Sequence, residues 1–531
     1  QGGTWAAATE VSQGKDTPSG HFDGNPAVVD STDTRDPAIV NFELGLADNV
    51  NYNNAPSGNP ADAAADWGYA ANTLYLQDEW SVNPQLNLIL GLRYDFWQTD
   101  DAPAENADFV ADYGFSNAQT LDGEGLLQPR LAFTYDAQDN LIVRGGVGLY
   151  SGGDPNVWLS NTYSANNVLQ FGADGGRVDP SLEDGVTSLF GIPYGQCEDG
   201  VPEGPGYCVP QSLIDSVASG TGSNFEINYL DPDFKIPSEW KISLGATWIP
   251  TLPAPNFLGG EYVVNADLLI SEGQDSAIVL RGDLEQVGTT EEGYPIFDSP
   301  RADSFVLTNS DEGNRSTTVS FSVAKDYDNG LNWAFGYAWN DAEDVQPMTS
   351  SVAFSNYNNR AFFNPQEDRL STSDYNIEHR FTLLTNYERA FFGEYNTTIS
   401  AFATARSGQP YSLVREDGGS GFFGFTPFIN GGSVLLPGGT RNSEEGSWWG
   451  KVDLRLEQEF PGILPTHRTA GFIVIDNLTN LINDEWGILR EPDFPPNVDV
   501  NPVTGALTQP AESRIGGASL FEVRLGLRYE F

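Results

Sequence analysis

Two acidic segments have the residue types that could bind a divalent cation. Their side chains are Asp326, Asp328 and Asn329 in "DYDNG" and Asp341, Glu343 and Asp344 in "NDAED". Oxygen ligands of this kind suit Ca²⁺, but the spacing to a later glutamate that an EF-hand loop requires is missing. Asp, Asn and Gly also dominate ordinary turns, so we expect "DYDNG" to be a turn.

The residues that commonly perform catalysis do not form a recognisable set. "GSGFFG", from Gly419 to Gly424, fits a dinucleotide-loop pattern, but it lies in a long Gly-rich segment without a βαβ unit. Neither a nucleophile elbow nor a zinc-protease motif occurs. The histidines His21, His379 and His467 lie far apart, and the many carboxylates show no paired arrangement. The sequence therefore argues against an enzyme and requires no cofactor.

The chain contains two cysteines, Cys197 and Cys208, which enclose the segment "CEDGVPEGPGYC". A pair that closes a short Gly/Pro-rich loop is typical of a disulfide and of an oxidising compartment. Two unrelated thiols are the alternative, and a metal site would need more ligands. We expect a structural disulfide between Cys197 and Cys208.

An aromatic-rich segment at 415–450 is the best candidate for a ligand site. Its flat side chains, in "GFFGFTPF" and "SWWG", are Phe422, Phe423, Phe425, Trp448 and Trp449. Such faces can bind a sugar or an apolar side chain. Trp448 and Trp449 can instead belong to an aromatic ring at a membrane surface, because a strand begins there. This second interpretation is preferred for the two tryptophans.

Charge and composition narrow the class of protein. The 531 residues include 26 Lys and Arg against 74 Asp and Glu, which gives a net charge of −48. This charge repels nucleic acid, and Ca²⁺ among acidic loops would screen it. Hydrophobic residues make up 39%, so the chain can bury a large surface. No run of about 18 apolar residues occurs, which leaves β-barrel insertion as the route into a bilayer.

Alternation of apolar and polar residues predicts β-strands. In "LNLILGLRYDF" the apolar face carries Leu86, Leu88, Leu90, Leu92, Tyr94 and Phe96, and the opposite face carries Asn87, Gly91, Arg93 and Asp95. The segments "LRLEQEF", "LNWAFGYAW" and "EWKISLGATW" repeat the pattern. Because successive side chains of a strand point to opposite faces, each predicted strand has one apolar and one mostly polar face.

The predicted strands are joined by connections of two kinds. Short turns at 83–85, 137–140, 326–330 and 391–395 alternate with Gly/Asp/Asn/Pro-rich insertions at about 98–125, 152–236, 272–314, 343–375, 415–450 and 487–517. Short turns at one end and long loops at the other are typical of an outer-membrane barrel. We count about thirteen strands from Asn72 onward, with 38–47 as one more candidate. The predicted fold is an all-β, transmembrane antiparallel β-barrel with long extracellular loops.

Aromatic residues concentrate at the ends of the predicted strands. Examples are Trp80, Trp97, Trp240, Trp248, Trp339, Tyr387 and Tyr529. Amphipathic rings at these positions suit the headgroup level of a bilayer. Sheet edges of a soluble β-protein are the alternative, because aromatic residues favour strands in general. Together with the asymmetry of the connections, the aromatic residues favour the membrane barrel.

The order of several segments resembles a known family. "LYLQDEWSVNPQLNLILGLRYDF" is followed by "QPRLAFTYD", "VRGGVGLYSGG", "LDPDFKIPSEWKISLG", "RSGQPYS" and "IDNLTNLINDEWG". Over roughly residues 70–531 the chain resembles the barrel of TonB-dependent outer-membrane receptors. It looks closest to the Oar-like branch, whose members carry a carboxypeptidase-regulatory-like domain. Each motif is weak alone, and their order is specific.

The resemblance implies a 22-stranded barrel filled by an N-terminal plug with a TonB box. Neither plug nor box is recognisable here, so we expect the C-terminal part of a longer polypeptide, truncated or cleaved, with about eight strands missing upstream. A complete 14-stranded porin is the alternative. The predicted divisions are a loop region at 1–70 with the candidate strand at 38–47, the barrel part at 71–531, and within it a large disulfide-bearing extracellular loop at 152–236.

The C-terminal segment "LFEVRLGLRYEF" alternates up to its last residue. Phe521, Val523, Leu525, Leu527, Tyr529 and Phe531 would face lipid, and the opposite face is charged. By resemblance, Tyr529 and Phe531 belong to the signal that barrel-assembly machinery reads. The strand would lack a partner in a truncated receptor, whereas in a porin it would pair with 38–47. Charged lumen residues, Arg93, Arg144, Arg455, Glu457, Glu522, Arg524 and Arg528, would contact the plug or simply form a hydrated wall.

The function implied by the resemblance is energised movement of a bulky ligand across the outer membrane of a Gram-negative bacterium. Oligosaccharide, peptide, chelated metal and protein are all compatible ligands. The implied partners are outer-membrane lipid, the TonB complex through the absent plug, barrel-assembly machinery, and a surface protein or polymer. The alternatives are a passive porin, an outer-membrane scaffold or adhesin, and a soluble carbohydrate-binding β-protein.

Overall fold

The computed structural model describes most of the chain. The described residues are 8–12, 49–152, 155–174, 211–220, 226–254, 256–415, 433–464 and 466–531. Among them, no helix has both the length and the apolar character needed to cross a membrane. The candidate strand at 38–47, the cysteines Cys197 and Cys208, and the aromatic residues Phe422, Phe423 and Phe425 lie outside these ranges.

Within the described residues, thirteen long strands form one sheet in which each strand pairs antiparallel with its neighbour in the chain. They are β1 (Ala70–Asn83), β2 (Leu86–Gln98), β3 (Gly125–Gln138), β4 (Leu141–Ser151), β5 (Ser238–Trp248), β6 (Val263–Gln274), β7 (Arg315–Asp326), β8 (Leu331–Asp344), β9 (His379–Phe392), β10 (Tyr395–Arg406), β11 (Trp449–Pro461), β12 (Arg468–Asp476) and β13 (Glu522–Glu530). The two-residue strand Ser371–Thr372 pairs with the end of β8. The predicted antiparallel sheet of about thirteen strands from Asn72 is confirmed.

Short elements occupy the connections between the long strands and the part of the chain before β1. The α-helices are α1 (Ala107–Tyr113), α2 (Asn156–Ser164), α3 (Gln211–Ala218), α4 (Ala353–Asn358) and α5 (Leu478–Ile482), and the 3₁₀ helices are Pro60–Ala63, Asn256–Leu258 and Gly517–Ser519. The short strands are Ala8–Ser12, Asn49–Asn54, Phe171–Asp174, Ile227–Leu230, Thr251–Leu252, Gly260–Glu261, Ala277–Arg281, Glu285–Thr289, Pro295–Asp298, Ser304–Asn309, Pro410–Arg415, Glu444–Glu445, Arg490–Glu491, Asn497–Val500 and Ser513–Arg514.

The register of the sheet places the apolar residues of neighbouring strands on one face. Leu90 of β2 lies opposite Leu131 of β3, which lies opposite Val147 of β4, and the row continues to Ile242 of β5. All four side chains are exposed. A large apolar surface that the protein itself does not cover is explained by contact with lipid. We call this face the outward face and the opposite, mostly polar face the inner face.

Short turns and long connections alternate along the sheet, as the sequence predicted. The short end has turns at 84–85, 139–140, 249–262, 327–330, 393–394 and 462–467, and the long end has connections at 99–124, 152–237, 275–314, 345–378, 407–448 and 477–521. In the turn at 327–330, Tyr327 N donates to Leu331 O at 2.9 Å. Gly330 supplies the left-handed φ of +90° that this turn requires. The length of the turn at 249–262 was not foreseen.

The long connections pack on one another, and we call this assembly the loop cap. Its main core joins residues of four different connections, among them Leu121, Tyr163, Phe305 and Tyr357. Strand Ser304–Asn309 runs parallel to Ile227–Leu230, and strand Pro410–Arg415 runs parallel to Asn497–Val500. These parallel pairings join the connection at 152–237 to that at 275–314, and the connection at 407–448 to that at 477–521. The hydrophobic core of this protein therefore lies mainly in the loop cap and not in the barrel wall.

Trp97 corrects one prediction about the aromatic residues. It was expected at a strand end facing the headgroup level, but it lies on the inner face of β2, buried at 2% exposure. Its ring packs into the main core of the loop cap, and its backbone bonds Gly123 and Glu124. An aromatic residue at the long end of a strand therefore contacts lipid when it lies on the outward face and packs into the loop cap when it lies on the inner face.

Candidate functional site

The candidate site is a cavity of about 450 Å³ between the loop cap and the long ends of β4, β5, β6 and β8. Its lining comes from the connections at 152–237, 275–314 and 345–378 as well as from β5, β6 and β8. Apolar groups are supplied by Trp158 and Met348, and carboxylates by Glu239 and Asp344. The cavity lies at the long end of the inner face.

Trp158 forms an apolar wall of the cavity. It lies on α2, and its indole Nε1 donates to Ser350 O at 3.0 Å. One turn later, Asn161 Nδ2 donates to Ser351 O at 2.8 Å, which fixes α2 against the connection at 345–378. An aromatic ring held by its polar edge presents its face without rotational freedom, which suits stacking on a sugar or an apolar group.

Two amides replace missing backbone partners around the cavity. Gln346 Oε1 accepts from Val279 N at 2.6 Å, and its Nε2 donates to Val279 O at 3.2 Å, as a neighbouring strand would. Asn314 Oδ1 accepts from Val345 N at 3.1 Å. Because these backbone groups would otherwise be buried without partners, both amides are structural and hold the cavity open.

The carboxylates of the cavity have basic partners. Asp344 accepts from Arg441 Nη2 at 2.6 Å, and Arg441 Nη1 also approaches Asp374 Oδ1 at 3.4 Å. Burial raises the pKa of the Asp374 carboxyl, while the Arg441 guanidinium opposes this shift. Glu239 pairs with Lys241 Nζ at 3.0 Å and keeps a third of its side chain exposed. Glu239 is therefore the accessible anionic group of this site.

Below the cavity, polar groups continue along the inner face from β4 to β7. Arg144 Nη2 of β4 reaches across β5 to Asp267 Oδ1 of β6 at 2.6 Å. Gly245 lies between them, and a Cβ at this position would overlap the Asp267 carboxylate. Arg144 Nη1 also donates to Thr247 Oγ1 at 2.9 Å. Glycine at 245 is therefore required for an ion pair that spans three strands.

A second row of charges lies on the inner face of β11–β13. Arg528 Nη2 donates to Glu457 Oε1 at 2.8 Å, and Arg455 bonds the other oxygen of the same carboxylate. Arg524 of β13 pairs with Asp476 of β12. The charged residues predicted to face the lumen lie on the inner face, where the contacts described here join several of them to acidic side chains of other strands. Contact with a plug stays a prediction.

The structure separates the two predicted tryptophans. Trp448 lies at the outward side, with its ring stacked on His379 at 5.8 Å and inclined to Phe381 at 6.3 Å. Trp449 points to the inner face, where Nε1 donates to Gly487 O at 3.3 Å and Arg406 lies 5.7 Å from the ring. Neither lines the cavity described above, and a ligand-binding role for them stays a prediction.

The C-terminal residues lie at the short end of the wall. Tyr529 on β13 contacts the turn at 462–467, since its hydroxyl lies 2.7 Å from His467 Nδ1 and accepts from Ile463 N at 3.2 Å. Phe531 follows the strand with an exposed ring. Their role in barrel assembly stays a prediction.

The sequence did not reveal the residues of the cavity. Trp158, Glu239 and Gln346 come from segments far apart in the chain, and no motif in the sequence assigned any of them to a ligand site. The only signal in the sequence concerned Glu239. It is the first residue of the predicted strand "EWKISLGATW", which placed it near the long end of β5.

In the described part of the chain, no group of three or more His, Cys, Asp or Glu side chains is arranged to hold a metal ion. In the predicted turn, Asn329 Oδ1 accepts from Leu331 N, as expected of turn chemistry. Ca²⁺ among the acidic loops stays a prediction.

An antiparallel sheet with an apolar outward face, a polar inner face and long connections at one end defines a transmembrane β-barrel. Residues 2–449 match the family model described as outer membrane beta barrel domain. The chain therefore belongs to this family, and the protein is located in the outer membrane of a Gram-negative bacterium. No curated protein sequence matches the chain.

The solved structures to which the chain is similar include outer-membrane transporters and receptors. The outer membrane transporter YddB from Escherichia coli has 12% identity and a TM-score of 0.43 over 87% of this chain and 45% of its own. The siderophore receptor PirA from Acinetobacter baumannii has 10% identity and a TM-score of 0.41 over 81% and 47%. The ferric enterobactin receptor PfeA from Pseudomonas aeruginosa, as a mutant, has 9% and 0.40 over 91% and 49%. The chain spans about half the length of these structures.

Proposed function

We propose that the protein is a TonB-dependent outer-membrane transporter of the Oar-like type, in which this chain supplies barrel wall and loop cap. A bulky ligand would bind beneath the cap and pass along the inner face when the TonB complex acts on a plug. Further strands of the same protein would complete the wall between β13 and β1, which are the edge strands of the described sheet.

The observation that carries this proposal is the cavity between the cap and the wall. It combines the fixed ring of Trp158 with the acceptor oxygens of Glu239, and it opens where the polar inner face begins. A passive pore needs a mouth that stays open, whereas here six connections pack over the wall as a folded cap. A folded cap with a binding cavity beneath it suits a transporter that requires energy to open.

The lining of the cavity favours ligands that donate hydrogen bonds and also present an apolar surface. Glu239 offers acceptor oxygens, and Trp158 offers an aromatic face. Sugars present hydroxyl donors and apolar ring faces, and cationic peptides present ammonium donors and apolar side chains. We therefore favour an oligosaccharide or a cationic peptide over an anionic ligand.

Uptake by cells that express the full-length protein tests the proposal. The cells receive labelled oligosaccharides or labelled cationic peptides, with and without a protonophore. We expect uptake that a protonophore or loss of TonB abolishes, and that Trp158→Ala lowers about tenfold through lost stacking. Val503→Ala, at an exposed position of the connection at 477–521, is the matched control and should leave uptake unchanged.

The alternatives give different results in the same experiment. Uptake that persists without proton-motive force would establish a passive porin. Ligand binding without uptake would establish a surface scaffold or adhesin, in which the cap holds a partner protein or polymer.

A further inference from the structure

The turn at 249–262 differs from the other short-end turns because it carries structure of its own. It pairs Thr251–Leu252 with Gly260–Glu261 and contains the 3₁₀ helix Asn256–Leu258. A connection at the short end needs only two residues, as those at 84–85 and 139–140 show. The additional length therefore calls for a physical explanation.

The turn folds back over the outward face of the wall. Lys325 of β7 follows Phe321 and Val323 on the outward face, where a cation at the edge of the lipid would be costly. Its side chain is nevertheless only 3% exposed, because Nζ donates to Gly259 O in the turn. The ammonium also lies 4.0 Å from the Tyr262 ring and 4.8 Å from the Tyr327 ring. Turn and rings together cover the charge.

Three successive carbonyls at the tip of the turn are bonded by outward-facing side chains. Tyr327 hydroxyl donates to Phe257 O at 2.8 Å, Tyr262 hydroxyl donates to Leu258 O at 3.0 Å, and Lys325 donates to Gly259 O. Backbone carbonyls without partners are strongly disfavoured in an apolar environment. Because these bonds satisfy the three carbonyls, the tip can contact lipid without leaving polar backbone groups unpaired there.

Two apolar side chains at this tip remain uncovered. Phe257 is 60% exposed and Leu258 is 62% exposed, although one face of the Phe257 ring stacks on Tyr327 at 5.2 Å. The surface is continuous with the outward face through Trp333, which contacts Tyr262 edge-on at 6.4 Å. An apolar tip with satisfied carbonyls, beside a lipid-facing wall, matches the boundary between headgroups and acyl chains.

We propose that the turn at 249–262 is an interfacial anchor that inserts Phe257 and Leu258 into the phospholipid leaflet at the short end of the barrel. Lys325 holds the anchor in position from beneath. The occupant of this surface is a zwitterionic phospholipid layer, because the ammonium of Lys325 is already bonded within the protein.

Spin labels attached to cysteine measure where the tip lies. The full-length protein, with Cys197→Ser and Cys208→Ser as background, is labelled at Phe257→Cys or Leu258→Cys and reconstituted in phosphatidylcholine vesicles. The reference for lipid is Ile242→Cys on the outward face of β5, and the reference for water is Val503→Cys. Collision rates with oxygen and with a water-soluble nickel complex give the depth of each label.

We expect both tip labels to be relaxed by oxygen and shielded severalfold from nickel relative to Val503, at a depth between those of Val503 and Ile242. Nickel accessibility equal to that at Val503 would overturn the proposal. Shielding from both reagents would also overturn it, since the tip would then be covered by protein. Adding Lys325→Met should raise the mobility and nickel access of the label at 258, and an unchanged spectrum would contradict the role of Lys325.

Discussion

The loop cap and the barrel wall of this protein distribute their apolar residues in opposite ways. In the cap, Tyr357 is fully buried and packs against Phe305 at 5.6 Å between ring centres. In the wall, Leu244 at the middle of β5 is 50% exposed, and its neighbours on the outward face are similarly uncovered. The cap excludes water as a soluble domain does, and the wall relies on lipid to do so. The cap therefore folds in water, whereas the outward face of the wall is adapted to lipid.

Charged residues show the same contrast. Arg281 in the cap pairs with Asp283 at 2.5 Å, and both side chains are almost completely buried. Arg528 in the wall pairs with Glu457 at 2.8 Å, but half of its side chain is exposed at the inner face. Burial makes an ion pair expensive to break, whereas a hydrated pair contributes little. The cap should therefore depend on its ion pairs and the wall should not.

The largest effect is expected from Arg281→Met. The substitution leaves Asp283 buried without its guanidinium partner, which costs about 3–5 kcal/mol. We expect the loop cap to become sensitive to protease in urea at concentrations that the original protein tolerates. Pulse proteolysis of the reconstituted protein measures the loss.

Arg528→Met is the matched control, because it removes an ion pair of similar length from the inner face. It should cost roughly 0–1 kcal/mol. Equal losses for the two substitutions would remove the distinction between a buried cap and a hydrated inner face.

A charge placed on the two faces of one strand gives the next largest effect. Leu244→Arg puts a guanidinium on the outward face near mid-membrane, which costs about 2–4 kcal/mol. Ser243→Arg puts the same group on the exposed inner face, beside Gly146, and should change stability by less than about 1 kcal/mol. The heat-modifiable mobility of the folded barrel on a gel measures both variants. A larger loss of stability for Ser243→Arg than for Leu244→Arg would show that the outward and inner faces are assigned the wrong way round.

The smallest effect concerns the pH dependence of the cap. Burial holds the folded pKa of Asp374 above its ordinary value of 3.8, so the folded state keeps this proton where the unfolded chain has lost it. The contribution of Asp374 to stability is therefore present at low pH and is lost as pH rises through the raised pKa. Asp374→Asn keeps the Oδ1 acceptor for Asn442 and cannot ionise.

Relative to the original protein, Asp374→Asn should become progressively more stable as pH rises from about 4 to 7. Pulse proteolysis of the cap across this range measures the difference. A difference that is constant with pH, or that falls as pH rises, would contradict the raised pKa.

The sequence predicted the wall better than the cap for a physical reason. Alternation in "LNLILGLRYDF" depends on one strand and one surface, so periodicity alone assigns Leu90 and Leu92 to the outward face. The cap forms by contacts between segments far apart, such as Asn161 with Ser351. Such contacts leave no local pattern. Trp97 shows the limit, since its strand was foreseen and its buried environment was not.

The candidate site was not predictable for the same reason. Trp158, Glu239 and Gln346 meet only after two connections have folded onto the end of β5. The role of Gly245 likewise depends on Arg144 and Asp267 from the two neighbouring strands. The covering of Lys325 by the turn at 249–262 follows from backbone geometry that composition does not reveal.

Cysteine labelling of intact cells tests the central claim most directly, namely that the wall spans the outer membrane with the cap outside. In the Cys197→Ser and Cys208→Ser background, Val503→Cys lies in the cap and Gln85→Cys in a short turn, both at exposed positions. We predict that a membrane-impermeant maleimide labels position 503 on intact cells and position 85 only after permeabilisation. Labelling of position 85 on intact cells, or protection of position 503, would contradict the account.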